Sequence, residues 1–225
     1  MKICHFSDWH WDWKSLPAAD LYVCTGDMYD NYPVGGRYWD INRAVEERGQ
    51  AKAADAMADR IPGIFKNAPD APLLIVRGNH DFIDLSRVFA KCKNLVHEFR
   101  DNEIIEILGL KVTGHRGIPA IDGSWSDEES RIDLAIKMRA MPHADLYLTH
   151  YPPSGILDSS LPPGTDQRGA MNYGLEGMGD FLLYRATKAL HCFGHIHEWG
   201  GSVMSHGDVF FSNAACKTNL LDWTP

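Results

Sequence analysis

The sequence lacks the excess of basic residues that is typical of chains bound to nucleic acid. Lys and Arg number 22 against 30 Asp and Glu, so the 225 residues carry a formal net charge of −8 at pH 7. Because a general basic surface is needed to neutralise phosphates, we expect no stable nucleic-acid binding and no nuclease activity. A negative net charge still allows the protein to bind a phosphate ester at a local positive site, such as bound metal ions.

Cysteine pairs and long apolar runs are also missing. The five cysteines are odd in number and form no C-x-x-C pair, which argues against a disulfide framework or a thiolate zinc site. We therefore expect a reducing, cytoplasmic compartment. The sequence has no run of about 18 apolar residues, so no membrane-spanning helix is predicted.

The composition is that of an ordinary globular protein. Hydrophobic residues make up 44% and charged residues 23%, which argues against wholesale disorder. A domain usually takes about 100–200 residues, so a single domain over residues 1–225 is predicted.

Short apolar segments alternate with helical patterns, which predicts an α/β layered domain. The predicted strands are residues 2–6, 20–24, 72–76, 145–148 and 190–193. The predicted helices are residues 40–65, 127–140 and 175–190. The predicted hairpins are residues 103–113, turning at Gly109, and residues 200–211, turning at residues 206–208. Residues 151–174 form a long Pro/Gly-rich loop.

Each predicted strand is followed by Asp, Asn or His. Because ligands of open α/β sheets bind at the C-terminal ends of the strands, we expect these side chains to converge at one edge. They offer oxygen or imidazole nitrogen, which suits Mn²⁺, Fe, Zn²⁺ or Ni²⁺. Seven donors are too many for one tetrahedral ion and fit two ions that share a bridging carboxylate. The seven candidate ligands are Asp8, His10, Asp27, Asn79, His150, His195 and His197.

The same segments resemble the five signature motifs of the calcineurin-like metallophosphoesterases, in the order of that family. The matching motifs are Asp8-x-His10, Gly26-Asp27-x-x-Asp30, Gly78-Asn79-His80-Asp81, His150 and Gly194-His195-x-His197. The segments around His150 and His195 are similar to the small class III branch. That branch includes the metallophosphoesterase-domain-containing proteins and bacterial cyclic-nucleotide phosphodiesterases.

The resemblance implies a fold and an ion pair. The fold is of the α/β (α+β) type, a four-layer β-sandwich flanked by helices with the metals at one sheet edge. Two divalent ions are implied, with Mn expected first and Fe, Zn or Ni as alternatives. By the family motifs, the first ion takes Asp8, His10, Asp27 and His197. The second takes Asp27, Asn79, His150 and His195, so that Asp27 bridges the two.

The resemblance also implies the reaction. A metal-bound hydroxide attacks the phosphorus of a small phosphodiester, such as a cyclic nucleotide or a nucleotide-like ester. His80 matches the family's non-ligand histidine, which stabilises the transition state or protonates the leaving group. Asp30 or Asp81 is expected to orient His80, and the sequence leaves both open.

Two positions separate this chain from other branches of the family, and a third matches one of them. Purple acid phosphatases have a Tyr ligand where this chain has Asp30, and Ser/Thr protein phosphatases have an Arg where it has Asn31. Arg77 does match the protein phosphatase pattern and is a candidate for holding a phosphate through a bidentate contact. A phosphomonoesterase or protein phosphatase-like activity therefore stays an alternative, as does a non-catalytic scaffold of the same fold.

Other features have two interpretations. Trp9, Trp11 and Trp13 either form an aromatic wall for a substrate base or pack over their loop, and packing is favoured. The loop at residues 151–174 is either a lid that brings Arg168 or Tyr173 over the substrate or a plain surface loop. A homodimer through an exposed sheet edge is compatible with the sequence.

Overall fold

The computed structural model describes residues 1–31, 41–166, 168–184 and 188–224. The strands in the first half are β1 (Lys2–Phe6), β2 (Leu21–Cys24), β3 (Leu73–Ile75), β4 (Val96–Glu98), β5 (Asp101–Ile107) and β6 (Leu110–His115). Those in the second half are β7 (Ile118–Pro119), β8 (Glu128–Glu129), β9 (Leu146–Thr149), β10 (Ala189–Phe193), β11 (Val203–His206), β12 (Val209–Asn213) and β13 (Thr218–Asp222). The helices are α1 (Arg43–Met57), α2 (Leu85–Val88), α3 (Arg131–Arg139) and α4 (Met178–Tyr184), with 3₁₀ turns at Ile61–Phe65 and His197–Trp199.

Most strands belong to two mixed sheets. The first sheet has the order β13-β1-β2-β3-β4, and the second has the order β11-β12-β10-β9-β6-β5. The strands β1, β2, β3 and β4 run parallel to one another, as do β6, β9, β10 and β12. The strands β7 and β8 form a small separate pair. Parallel strands bring their C-terminal ends to the same edge, which is where the candidate ligands were predicted.

The two sheets pack face to face. Ile3 and Val23 of the first sheet belong to the same buried apolar cluster as Val112 and Leu148 of the second. Side chains alternate between the two faces of a strand, so the neighbours of these residues point away from this cluster.

Helices cover the outer faces of the two sheets. The 3₁₀ turn at Ile61–Phe65 and α2 pack on the first sheet through buried side chains that include Phe65 and Leu85. The helices α3 and α4 pack on the second through Leu134 and Phe181. The result is the predicted four-layer α/β arrangement, with helices outside and two sheets inside.

The predicted hairpins and strands are confirmed to within three residues, whereas the helices differ more. Residues 40–65 divide into α1 and a 3₁₀ turn because Pro62 at the start of the turn has no N–H for a continuing helix. Residue 40 itself lies outside the described residues. The helix α3 begins only at Arg131, since residues 128–129 pair as β8 and the Ser130 side chain accepts from Asp133 N–H.

The predicted helix over residues 175–190 is wrong at both ends. The described helix α4 covers Met178–Tyr184, and Ala189 and Leu190 already belong to β10. Residues 185–187 lie outside the described residues. Among the helices of the described segments, none combines the length and the apolar character that crossing a membrane requires.

Two histidines are fully buried on strands of the central layers. His5 on β1 contacts Ser212 Oγ at 2.8 Å and Thr25 Oγ1 at 2.9 Å, and His191 on β10 contacts Thr149 Oγ1 at 2.8 Å. Burial lowers the pKa of each imidazole from 6.5 to about 3. Both rings are therefore neutral in the folded protein at ordinary pH.

We expect these two histidines to make the fold sensitive to acid. Below pH 6.5 the unfolded chain binds protons at both rings, while the folded chain does not until the pH nears 3. The free energy of unfolding should then fall with pH by about 1.4 kcal/mol per pH unit for each ring, and it should be fully retained above pH 6.5. Urea unfolding in EDTA at several pH values between 4 and 8 measures this slope.

The variant His191→Gln measures the contribution of one ring to the acid sensitivity, separately from all other titrating groups. Gln keeps a hydrogen-bonding side chain near Thr149 but does not titrate, so the acid slope should become shallower by about 1.4 kcal/mol per pH unit. His206→Gln removes an exposed histidine and is the matched control, for which the wild-type slope is expected. Equal slopes for wild type and His191→Gln would contradict the expectation.

Candidate metal centre

The seven candidate ligands lie in the loops that follow five parallel strands. Asp8 and His10 follow β1, Asp27 follows β2 and Asn79 follows β3. The remaining three come from the second sheet, where His150 follows β9 and His195 and His197 follow β10. The two sheets also join at this edge, where Ser7 bridges to Ala215.

The first group of donors contains Asp8, His10 and His197. One donor atom from each lies within 4.8 Å of the others. His197 Nε2 is 3.2 Å from Asp8 Oδ1, and the ring centroids of His10 and His197 are 5.3 Å apart. His10 Nδ1 contacts the carbonyl oxygen of Tyr29 at 3.1 Å, which leaves Nε2 as the free donor atom of that ring.

The second group contains Asp27, His150 and His195, with Asn79 beside it. His150 Nε2 is 3.1 Å from both Asp27 Oδ2 and Asn79 Oδ1. His150 Nδ1 is 2.7 Å from the carbonyl oxygen of Thr25, a contact that fixes this ring with Nε2 towards the group. Tyr151 stacks on the His195 ring at a centroid distance of 3.7 Å and orients it.

The electrostatics of both groups suit divalent cations. Burial raises the pKa of Asp8, but the His197 hydrogen bond and the charge of His150 outweigh it and hold the pKa below its usual range. Burial is likewise outweighed at Asp27, mainly by His150, so its pKa lies well below the usual range. Two buried carboxylates that stay ionised attract positive charge, and divalent ions supply it.

The same carboxylates raise the pKa values of two histidines of the site. Burial alone would lower the pKa of His150, but Asp27 raises it to about 9. Hydrogen bonds to Asp8 and to the Cys216 thiol raise the pKa of His197 to about 11. His10 Nε2 is a further sign of a metal site, because it is buried and has no hydrogen-bond partner among the described residues. A metal ion satisfies such a nitrogen, so the residues present fit the divalent ions that the motifs imply.

The loops that carry these donors have an unusual backbone. Asp8, His10, Asp27 and His195 have positive φ angles of 54°, 41°, 49° and 65°, a region that non-glycine residues seldom occupy. Conformations of this kind persist where surrounding contacts hold them, and they concentrate at functional sites. The loops do hold one another, since Asp8 N–H donates to the Gly26 carbonyl oxygen at 2.9 Å.

Asp81 is one of the residues that hold these loops. Its buried carboxylate accepts from the N–H groups of Asp27 at 2.7 Å, Met28 at 3.0 Å and Gly78 at 3.0 Å. Burial and the nearby Asp27 charge raise its pKa to about 7. Asp81 therefore fixes the backbone around Asp27, and none of its hydrogen bonds described here reaches the His80 ring.

Two motif glycines leave space for the carboxylates. A Cβ atom at Gly78 would overlap Asp27 Oδ1, and one at Gly194 would overlap Asp8 Oδ2. Neither position has room for any side chain. The glycines of these motifs thus follow from close packing of the loops around the two acidic donors.

His80 lies beside the two groups and is oriented by the loop after β2. Its Nδ1 is 3.1 Å from Asn31 Oδ1 and 3.9 Å from Asp30 Oδ1, and its Nε2 is 4.0 Å from Asp27 Oδ2. The geometry thus favours Asp30 over Asp81 as the acidic neighbour, with Asn31 closer still. Burial lowers the pKa of His80, against the charge of Asp27.

The backbone of His80 is also held from both sides. His80 N–H donates to Asp27 Oδ1 at 2.8 Å, and Gln50 Nε2 of α1 donates to the His80 carbonyl oxygen at 2.6 Å. Gln50 Oε1 accepts from Phe82 N–H at 2.8 Å. One buried glutamine therefore clamps the turn that carries both Asn79 and His80.

Arg77 does not fit the expected phosphate contact. Its guanidinium lies 2.7 Å from Asp127, 3.3 Å from Asp84 and 3.7 Å from Glu98. Three carboxylates surround the cation, and its side chain is 10% exposed. Arg77 follows β3, and its guanidinium takes part in this ion-pair network.

A cleft with a volume of about 760 Å³ opens over the donors. This size lies in the range of small-molecule sites, about 300–1,000 Å³. Trp125 lines it and contacts the His80 ring edge-on at a centroid distance of 4.8 Å. Tyr173 of the long loop also lines it, whereas Arg168 is exposed and paired with Asp166 at 2.7 Å. The other described lining includes Pro119, Ala120 and Ile121.

The tryptophans of the first loop are not among the described lining residues of this cleft. Trp9 is buried and packs on Phe6 at a centroid distance of 4.8 Å, and Trp13 packs on Trp9 at 6.2 Å. Trp11 contacts Tyr29 at 4.7 Å. The packing interpretation fits all three rings.

Several residues of the site carry no sequence signal that would have revealed them. Trp125 and Gln50 come from segments far from the motif that they support, whereas Tyr151 follows His150 directly but stacks on His195 of another motif. Cys216, whose thiol reaches His197, lies in the turn before β13. Asn31, which contacts the His80 ring, is the exception, because it was noted in the sequence as a difference from the protein phosphatase pattern.

Comparison with known proteins agrees with this geometry. The chain is similar to a UPF0046 protein, T07D4.2, of Caenorhabditis elegans, with 27% identity over 124 residues. The match covers 54% of this chain and 29% of the relative, so the chain spans less than a third of that protein's length. The family model described as calcineurin-like phosphoesterase matches residues 1–199, which contain all seven donors. The chain therefore belongs to the calcineurin-like phosphoesterases, a family of metal-dependent phosphoester hydrolases.

Proposed function

We propose that the chain is a dinuclear phosphoesterase that hydrolyses a small phosphodiester. The observation that carries this proposal is the pair of adjacent donor groups, Asp8 with His10 and His197, and Asp27 with His150 and His195. Two groups that each offer three N or O atoms suit two ions better than one. Asp27 has donor atoms clustered with His150 and His195 and also with His10 of the first group, so it is the proposed bridge.

Bound divalent ions supply Lewis-acid stabilisation of the phosphoryl oxygens and activate a water for attack. The chain's own residues do the rest. The ionised carboxylates of Asp8 and Asp27 would hold the ions, while the carbonyl oxygens of Thr25 and Tyr29 orient the rings of His150 and His10. His80, oriented by Asn31, presents Nε2 on the side of Asp27 and is proposed to stabilise or protonate the leaving oxygen.

Two features support a diester over a monoester. Arg77, the cation suggested for clamping a phosphate dianion, is neutralised by three carboxylates. The described cleft also offers aromatic and apolar side chains, including Trp125, Tyr173 and Ile121, which suit an ester group on either side of the phosphorus. The likeness to the class III branch points to the same substrate class and remains part of this proposal.

The proposal predicts a substrate preference that is simple to measure. Metal-stripped protein with Mn²⁺ added back should hydrolyse bis(4-nitrophenyl) phosphate with a kcat/KM at least about tenfold above that for 4-nitrophenyl phosphate. Repeating the add-back with Fe²⁺, Zn²⁺ and Ni²⁺ tests Mn²⁺ as the preferred ion, and Asp27→Asn serves as the blank.

A preference for the monoester would contradict the diester proposal and favour the phosphomonoesterase alternative. No turnover of either compound by protein that holds two metal ions would favour the scaffold alternative. The measurement therefore separates the three alternatives that the sequence left open: phosphodiesterase, phosphomonoesterase and non-catalytic scaffold.

A further inference from the structure

Arg131 is a cation of the cleft that the proposed chemistry does not use. It is the first residue of α3, it is exposed, and it lines the cleft together with Tyr173 and Tyr151. Arg131 and Tyr151 line the same cleft, and the Tyr151 ring stacks on the donor His195. Arg131 is thus near the donor groups but is not one of them.

Three other arginines have hydrogen-bond or ion-pair partners within the described ranges, unlike Arg131. Arg77 is surrounded by three carboxylates, Arg116 pairs with Asp127 at 3.4 Å, and Arg43 donates to the Trp125 carbonyl oxygen. Arg131 forms no ion pair with any residue in the described part of the chain. It is also the single Lys or Arg among the described side chains that line the cleft.

The cleft is larger than the reacting phosphate requires. Its volume of about 760 Å³ leaves space beyond the donors, towards Ile121, Tyr173 and the start of α3. A guanidinium on a wall of such a space binds carboxylate or phosphate through a bidentate contact. The aromatic neighbours Tyr173 and Trp125 suit the part of a substrate that joins the two anionic ends.

We propose that Arg131 binds a second anionic group, a carboxylate or phosphate, on the part of the substrate that lies away from the scissile phosphate. The inference rests on the proposed phosphoesterase function and narrows its substrate class to small diesters with two anionic groups. Arg131 is then a specificity-determining residue, because a diester without the second anionic group has no partner for its guanidinium.

The test uses two aryl diesters that differ by one carboxylate. Phenyl 4-nitrophenyl phosphate and 4-carboxyphenyl 4-nitrophenyl phosphate both release 4-nitrophenolate. Wild-type protein with Mn²⁺ should prefer the carboxylated diester by about 10- to 100-fold in kcat/KM, the usual range for a charged hydrogen bond. In Arg131→Gln this ratio should fall to about 1, through a higher KM for the carboxylated diester alone.

A matched control and a binding measurement complete the design. Arg139→Gln removes a cation at the other end of α3 and should keep the wild-type ratio. Calorimetric titration should show 4-carboxyphenyl phosphate binding more tightly than phenyl phosphate to wild type, but not to Arg131→Gln. Thermal melts of the variants check that the exposed substitutions leave the fold intact.

The outcomes separate this inference from the proposed function. An unchanged ratio in Arg131→Gln would overturn the role of Arg131 while leaving the hydrolysis intact. An equal loss for both diesters would also overturn it, because Arg131 would then contact the reacting phosphate. If wild type hydrolyses neither diester, the proposed function fails, and the calorimetric comparison of the two phosphates still decides whether Arg131 binds the carboxylate.

Discussion

Asp27→Asn is expected to abolish most of the activity and to weaken metal binding in both donor groups. The Asp27 carboxylate is 2% exposed, lies 3.1 Å from His150 Nε2, and has a pKa well below its usual range. Breaking a buried charge pair by removing one partner costs about 3–5 kcal/mol, which corresponds to roughly a 10²- to 10⁴-fold loss of affinity. Asn keeps the shape of Asp and an oxygen for His80 N–H, so the charge is the main change.

The measurement combines metal analysis with kinetics. After dialysis against limiting Mn²⁺, the metal content of Asp27→Asn should fall clearly below that of wild type, and the loss of kcat/KM should follow it. Asp59→Asn makes the same chemical change at an exposed carboxylate that pairs with Lys91, and it should behave as wild type. Near-wild-type turnover of Asp27→Asn with full metal content would exclude a bridging role for this residue.

Much of the fold was predictable because strands and turns leave local signals. The strand β1 was predicted with its observed bounds, and the hairpin between β5 and β6 turns at Leu108 and Gly109, which both have positive φ. Gly at such a position is a strong turn signal. The strands β4, β7, β8 and β13 were missed because they are short or lack a continuous apolar run. The pairing of β4 and β13 also depends on partners far away in the sequence.

The donor groups were predictable for a related reason. A residue that directly follows a buried parallel strand lies at the C-terminal edge of the sheet. The strands that carry the donors share such an edge, so their following residues lie close together. These residues are Asp8, Asp27, Asn79, His150 and His195. The sequence did not predict in which direction a side chain points beyond that edge. Arg77 occupies a motif position, yet Asp84, Glu98 and Asp127 turn its guanidinium into an ion-pair network.

The walls of the cleft show the limit of sequence reasoning most clearly. The aromatic residue beside His80 is Trp125, whereas the sequence drew attention to Trp9, Trp11 and Trp13. The latter three are close to His10 in the chain, but their rings pack among Phe6, Tyr29 and Phe89. Closeness in sequence to His10 suggested that these three rings contact the substrate. Tertiary packing instead determines which rings line the cleft.

His80→Ala is expected to lower kcat by about 10²- to 10⁴-fold, the usual contribution of a general acid or base. The His80 ring is 10% exposed, contacts Asn31 Oδ1 at 3.1 Å and lies 4.0 Å from Asp27 Oδ2. It can therefore reach a substrate oxygen near the donors without belonging to the two groups proposed to hold the ions. Metal content after dialysis should equal that of wild type.

Metal content is decisive because the structure offers His80 a second role. His10, Asp27 and His80 also have donor atoms within 4.8 Å of one another. If His80→Ala loses an ion under conditions in which wild type retains two, His80 is a ligand, and its assignment to the leaving group is wrong. Asn31→Ala is the companion variant. It removes the contact to His80 Nδ1 and should reduce kcat less than His80→Ala while leaving the metal content unchanged.

The choice of leaving group shows what His80 does. A proton donor matters most when the leaving oxygen is strongly basic, and it matters little for 4-nitrophenolate. Across a series of methyl aryl phosphates with increasingly basic phenols, the ratio of wild-type to His80→Ala kcat should therefore rise with the pKa of the phenol. A constant ratio would instead mean that His80 stabilises charge on the phosphoryl oxygens, because that contact does not depend on the leaving group.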